Sequence, residues 1–250
     1  MLKDTFTLAG RLIKHNLRSP DTIITVVLMP IMILLMMVYL FGGSMKIAGV
    51  AHGDYINYVL PGILLITIAS GAAYTAMRIN VDKTSGMFDR FKSLPISKVS
   101  VLGGQALASV SFMLISTGIV LLVGVLIGFR SSASVGAWVL VGLLLIGFAI
   151  TITWLSVPFA LAASSVDGAS AFSYILLLLL FVSSAFVPVT GMPKPLHLFA
   201  EHQPMTHVIM TIRQLLAVQN VGNHGWLALL WLAGITLVAY IIGLRLYRRV

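Results

Sequence analysis

Six long stretches of this chain contain no Asp, Glu, Lys or Arg. They lie between Asp21 and Lys46, Asp54 and Arg78, Lys98 and Arg130, Arg130 and Asp167, Asp167 and Lys194, and Arg213 and Arg245. Each can hold the ~20 apolar residues that cross a hydrocarbon core ~30 Å thick. Only 9% of the residues are charged and 59% are hydrophobic, with a mean hydropathy of +1.03. A soluble domain carries about 25% charge, so the chain reads as an all-α integral membrane protein. Six transmembrane helices are expected, at 22–42, 56–78, 101–128, 136–162, 170–189 and 225–244. A β-barrel would alternate apolar and polar residues over short segments, and this chain does not.

The basic residues orient these spans. Lys3, Arg11, Lys14 and Arg18 precede the first span. Arg78, Lys83, Arg90, Lys92 and Lys98 lie between the second and third, and Arg245, Arg248 and Arg249 follow the sixth. With an even number of spans these segments share one side, which then holds twelve of the sixteen basic residues. The positive-inside rule places both termini in the cytoplasm of a multi-pass protein of the cell membrane. The net charge of +9 is therefore mostly a topology signal. It is not gathered on a soluble domain, which argues against a nucleic-acid partner.

Residues 2–18 sort on a helical wheel, with Lys3, Arg11, Lys14 and Arg18 inside an arc of roughly 80° and Leu2, Phe6, Ala9, Leu12, Ile13 and Leu17 outside it. This predicts an N-terminal amphipathic helix in the membrane interface, anchored among membrane lipids. A lever touching a cytoplasmic partner is its second reading. In span one, Pro30 predicts a kink, and the methionines of 32–37 read as helix packing or as an adaptable surface for apolar ligands. Gly124 and Gly128 form a GxxxG pair that favours close helix approach. Residues 190–223 contain Pro193, Pro195 and Pro204 between apolar stretches too short to cross. They predict two short helices that dip into the outer leaflet and return, the alternative being a folded external loop.

Several chemistries are missing from the sequence. There is no G-x-x-x-x-G-K-[ST] phosphate loop and no H-E-x-x-H. With no cysteine, neither a disulfide nor a thiolate metal site is possible. His197, His202, His207 and His224 lack the spacing of a metal site on one helix face, so no metal and no catalytic residues are expected. No cleavable leader is read at the N-terminus. The span centres hold no ionisable residue of the kind that marks proton or sodium coupling. Any driving force must then arrive from another chain.

That absence gives meaning to the dense polar stretch DKTSGMFDRFKSLPISK at 82–98. Gly86 permits a sharp bend. Met87, Phe88 and Phe91 fall on one face of a short helix, rimmed by Asp89, Arg90 and Lys92 and stopped at Pro95. Aromatic anchors with a charged rim suit a docking surface; a solvated loop is the bland alternative.

The stretch DKTSGMFDRFKSLPISKVSVLGGQALA resembles the cytoplasmic loop of ABC type-2 permeases, in particular the membrane subunit of daunorubicin/doxorubicin-type drug exporters. The matching residues are Asp82, Gly86, Asp89-Arg90, Ser93-Leu94-Pro95 and Leu102-Gly103. SSAFVPVTGMPKPLHLFAEHQPMTHVIMTIRQLL is similar to the family pattern after span five, and YVLPGIL at 58–64 to its second span. His202 and Gln105 depart from the pattern, which often has Asn and Arg there. The resemblance covers essentially the whole chain.

It implies a homodimer that docks two copies of a separate cytoplasmic ABC ATPase subunit. ATP and Mg would be bound there, with no cofactor in this chain. Asp82, Gly86, Phe88, Arg90, Phe91 and Pro95 would couple to that subunit through a cytoplasmic coupling helix. Spans one, two and five of both copies would line the path, and the short helices after span five, with Pro188, Glu201, His202 and Pro204, would form the outer gate. An amphiphilic small-molecule substrate would meet Met36, Tyr39, Phe181, Phe186 and Val187, aromatic and thioether side chains suited to such compounds. Competing readings are a polysaccharide or teichoic-acid exporter, an unenergised channel or scaffold, and a membrane-embedded enzyme.

Overall fold

The computed structural model of the protein describes residues 10, 12–13, 18–42, 55–86 and 98–247. These form eight helices: α1 (Pro20–Phe41), α2 (Tyr55–Thr84), α3 (Lys98–Ile127), α4 (Val135–Ala162), α5 (Val166–Phe181), α6 (Lys194–His202), α7 (Pro204–Leu216) and α8 (His224–Tyr247). Five of them, α1 to α4 and α8, are long and apolar enough to cross a membrane. The protein is an all-helical membrane protein. Residues 87–97 of the expected coupling segment 82–98, most of the expected amphipathic helix (2–18) and the loop 43–54 lie outside the described residues.

α2 is the hub, packing against α1, α3, α4, α5 and α7. From Tyr55 to Asn80 no side chain of α2 is fully exposed. Lipid tails are as apolar as leucine, so close packing at small residues drives such association. Leu60 seats against Gly124 of α3, where an added Cβ would come within 2.9 Å of its Cδ1. The GxxxG pair is thus divided. Gly124 receives α2, whereas Gly128 adopts φ 128° and ends the helix.

Proline handling explains α1. An α-helical Pro30 would press its ring on the Val26 carbonyl. The helix instead widens into a π turn over Ile24–Leu28, just ahead of the proline, and again over Met37–Phe41.

Two boundaries differ from expectation. The polar stretch 82–98 is helical at both ends, so Asp82 sits in the last turns of α2 rather than in a loop. The reason is a clamp. Asn80 Nδ2 donates to the Ala160 and Ala163 carbonyls at 3.0 and 2.9 Å, and Lys83 Nζ donates to the Leu161 carbonyl at 2.7 Å. These carbonyls are the unpaired C-terminal groups of α4, where a cation is also favoured. The fifth expected span, 170–189, is helical only as far as Phe181. Ser183 Oγ turns back to the Leu180 carbonyl and accepts from Ala185 N–H, which offers the backbone an alternative to helix.

Candidate functional site: a helical plug tied to the second span

Non-helical backbone that is buried in a protein needs partners for its free N–H and C=O groups. The break after α5 is such a place, and its free groups name the residues that matter. Gln203 Nε2 donates to the Val182 carbonyl at 2.9 Å. Ser184 N–H donates to Thr206 Oγ1 at 3.3 Å, and the Ser184 carbonyl accepts from Arg213 Nη2 at 2.8 Å and from Tyr58 Oη at 3.3 Å. Gln203 and the short helix α7 thus close over the broken end of α5, and with α6 they form a plug.

Arg213 joins the plug to α2. Its Nε and Nη2 reach the Tyr58 carbonyl at 3.2 and 2.9 Å, and its Cζ lies 3.7 Å from the centroid of the Tyr58 ring. Three residues on, Pro61 contributes no N–H to the early turns of α2. At Gly62 the turn 182–187 comes so close that an added Cβ would stand 2.7 Å from Ala185 Cβ. Tyr58, Gly62, Ser184, Ala185 and Arg213 therefore form one contact. On the other side of α7, His207 and His224 bring their Nδ1 atoms to 3.1 Å, tying the plug to α8. Burial, with smaller contributions from His224 and His202, holds His207 below its ordinary pKa. Among the described residues, four buried side-chain oxygens here have no partner: Tyr55 Oη, Ser184 Oγ, Gln203 Oε1 and Gln214 Oε1.

The sequence-predicted residues distribute as follows. Pro188 opens a 3₁₀ turn over Val189–Gly191, and Pro204 begins α7. Glu201 pairs with His197 at 3.6 Å, and His202 Nδ1 contacts the Leu198 carbonyl of its own helix at 2.9 Å. Met36 and Tyr39 are exposed on α1, as are Phe181 at the end of α5 and Val187 in the turn beyond it. Phe186 is buried and stacks on Phe181 with ring centroids 5.1 Å apart. At the opposite end of α2, the Asp82 carboxylate accepts from Gln105 Nε2 of α3. Gly86 follows with φ 71°, a conformation that suits glycine. Phe88, Arg90, Phe91 and Pro95 lie outside the described residues. No group of three metal-ligating side chains occurs among the described residues.

The family model for the ABC-2 type transporter matches residues 3–217, from before α1 to the end of α7. The chain belongs to the ABC-2 type transporter family. It is a permease subunit, a transport component. The chain is 32% identical over 234 residues to the daunorubicin resistance ABC transporter permease protein DrrB1 of Streptomyces coeruleorubidus, covering 92% of this chain and 80% of that one. It is 25% identical over 237 residues to the probable doxorubicin resistance ABC transporter permease protein DrrC of Mycobacterium tuberculosis, covering 94% and 84%. The putative transport permease ycf38 of Cyanophora paradoxa is 27% identical over 217 residues, covering 85% and 73%. The motifs around Tyr58 and Arg213 are legible in the sequence, where Arg213 stands as the charge that opens the last uncharged run. The signal was present: Arg213 lies among Val208, Ile209, Ile212, Leu215 and Leu216, whose helical spacing marks a buried face.

Proposed function

We propose that this permease exports amphiphilic drugs or lipid-like compounds as a homodimer, driven by two copies of a separate cytoplasmic ATPase subunit that binds ATP and Mg. The carrying observation is that one helix, α2, holds the Asp82 contact near one end and the Tyr58–Arg213 contact near the other. At 1.5 Å per residue, these lie roughly 36 Å apart along a continuous rod. The segment 82–98 receives the partner through Gly86, Phe88, Arg90, Phe91 and Pro95, and its movement is delivered to α2. The rod carries that movement to the plug, where the Pro188 turn, the Glu201–His202 end of α6 and Pro204 form the outer gate. A clamp with orphaned oxygens is only partly satisfied, so it is held less firmly than a fully bonded network. The two states must differ in their affinity for the energised partner, or no work is transmitted.

In this reading the segment 170–189 is the further crossing that brings the total to six, and both termini are cytoplasmic. The exposed faces of α1 and α5, with Met36, Tyr39, Phe181 and Val187, turn toward the second copy and line the path. Their aromatic and thioether character favours an amphiphile over a polysaccharide, which would want polar groups there. The test is co-purification in mild detergent, followed by substitution of Phe88 and Arg90 together. Loss of ATPase binding and of export, with insertion intact, is expected; export that survives the double substitution overturns the coupling role.

A further inference from the structure

α8 packs on α4 along a seam where Thr151 and Thr236 hydroxyls meet at 2.8 Å and Trp154 and Tyr240 pack edge to face with ring centroids 4.8 Å apart. Beside that seam runs an open groove of about 630 Å³ between the two helices. Pro158, Phe159 and Ala162 form one wall; Trp231, Val238 and Ile242 are among the residues of the other. The groove exists because small residues leave it empty. Gly234 lies in its wall, and a Cβ there would touch nothing within 4 Å. Neither a charged side chain nor a hydroxyl lines it. From Trp231 to Leu246 it runs roughly 22 Å along α8, longer than the ~15 Å of one leaflet's hydrocarbon.

The last groove residue on α8, Leu246, is preceded in the chain by a cation. Arg245 is exposed in the last turn of α8. It lies three residues beyond Ile242 and so on the same side of the helix. Arg248 and Arg249 follow it in the sequence. A second groove on the other flank of the seam, about 440 Å³, contains Thr151, Thr236 and Tyr240 and lies about 160° around α8 from Arg245. An apolar channel of acyl-chain length with exposed positive charge next to its last residue on α8 is complementary to one class of molecule. We infer that the α4–α8 groove is a binding site for a membrane phospholipid with an anionic headgroup, its acyl chain along Val238 and Ile242 and its phosphate at Arg245. A second copy of the chain is the poorer occupant, since the proposed pairing face lies on α1 and α5, which pack on α2.

Trp231 supplies the reporter. The full-length protein is reconstituted in phosphatidylcholine carrying a brominated-chain lipid, either phosphatidylglycerol or phosphatidylcholine. The Trp231 share of the fluorescence is taken by difference from Trp231→Phe. Brominated phosphatidylglycerol should quench that share at a several-fold lower mole fraction than brominated phosphatidylcholine. Arg245→Gln should erase the preference, and Gly234→Leu, which fills open space, should reduce quenching by both lipids. Equal quenching by the two lipids, a preference that survives Arg245→Gln, or a change in oligomeric state with Gly234→Leu would each overturn the assignment.

Discussion

The Arg213 guanidinium lies over the ring of Tyr58 and also bonds the carbonyl of that same residue, at 2.9 and 3.2 Å. Its third bond goes to Ser184, so one side chain joins α2, the broken end of α5 and α7. Arg213→Ala would leave buried carbonyls short of a donor, at about 1–3 kcal/mol for each. A fall in Tm of about 5–10 °C in detergent is expected. Arg213→Lys should recover less than half of it, because an ammonium lacks the fork that spans two acceptors. Full recovery by lysine would show that charge alone holds the plug.

The seat of the turn 182–187 on α2 rests on size. With an added Cβ only 2.7 Å from Ala185 Cβ, Gly62→Ala must push the turn away and weaken the Ser184 bonds. Ala185→Gly should be mild alone, apart from its backbone entropy, and should rescue Gly62→Ala. A double-mutant cycle on Tm is expected to give a coupling of about 1–2 kcal/mol. Additive effects would place the two residues in separate contacts.

Much of this architecture was legible in the sequence, and the limits were physical. Uncharged runs marked the long helices because charge is costly in hydrocarbon, and Pro193, Pro195 and Pro204 divided the segment that holds α6 and α7. Hydropathy could not end α5 at Phe181. Residues 182–189 are as apolar as the helix before them, and the break depends on Ser183 bonding its own backbone and on Gln203 arriving from 21 residues away. The clamp of Asn80 and Lys83 on α4 was equally hidden, since its acceptors are main-chain carbonyls 78 to 83 positions on. Arg213 was visible as a charge, but its burial depends on three distant segments meeting.

Gln105 stands where the family pattern often has Arg, and here its amide donates to the Asp82 carboxylate. Gln105→Arg should therefore keep or strengthen the α2–α3 contact by adding charge to the hydrogen bond. Gln105→Leu removes the donor from a partly buried carboxylate and should lower stability by about 1–3 kcal/mol. Export by the reconstituted complex should follow the same order. If Leu and Arg behave alike in both measurements, the contact carries neither stability nor motion.

His207 makes the plug sensitive to acid. It is buried in α7, outside the membrane-spanning helices, and faces His224 on α8, with His202 and Glu201 of α6 acting more weakly. Its pKa in the fold lies below the ordinary value near 6.5. The unfolded chain then takes up its proton at a higher pH than the folded chain does. Between the two pKa values the unfolded state binds more protons, so stability rises with pH through that window. The contribution is fully present above about pH 6.5 and is lost as pH falls toward the folded value, where His207 must take up charge in a buried site. Thermal unfolding of the wild type should therefore lose ground steadily from pH 7.5 to pH 5. His207→Asn, which cannot gain a proton, should flatten part of that slope. A slope unchanged by His207→Asn would assign the acid sensitivity to other groups.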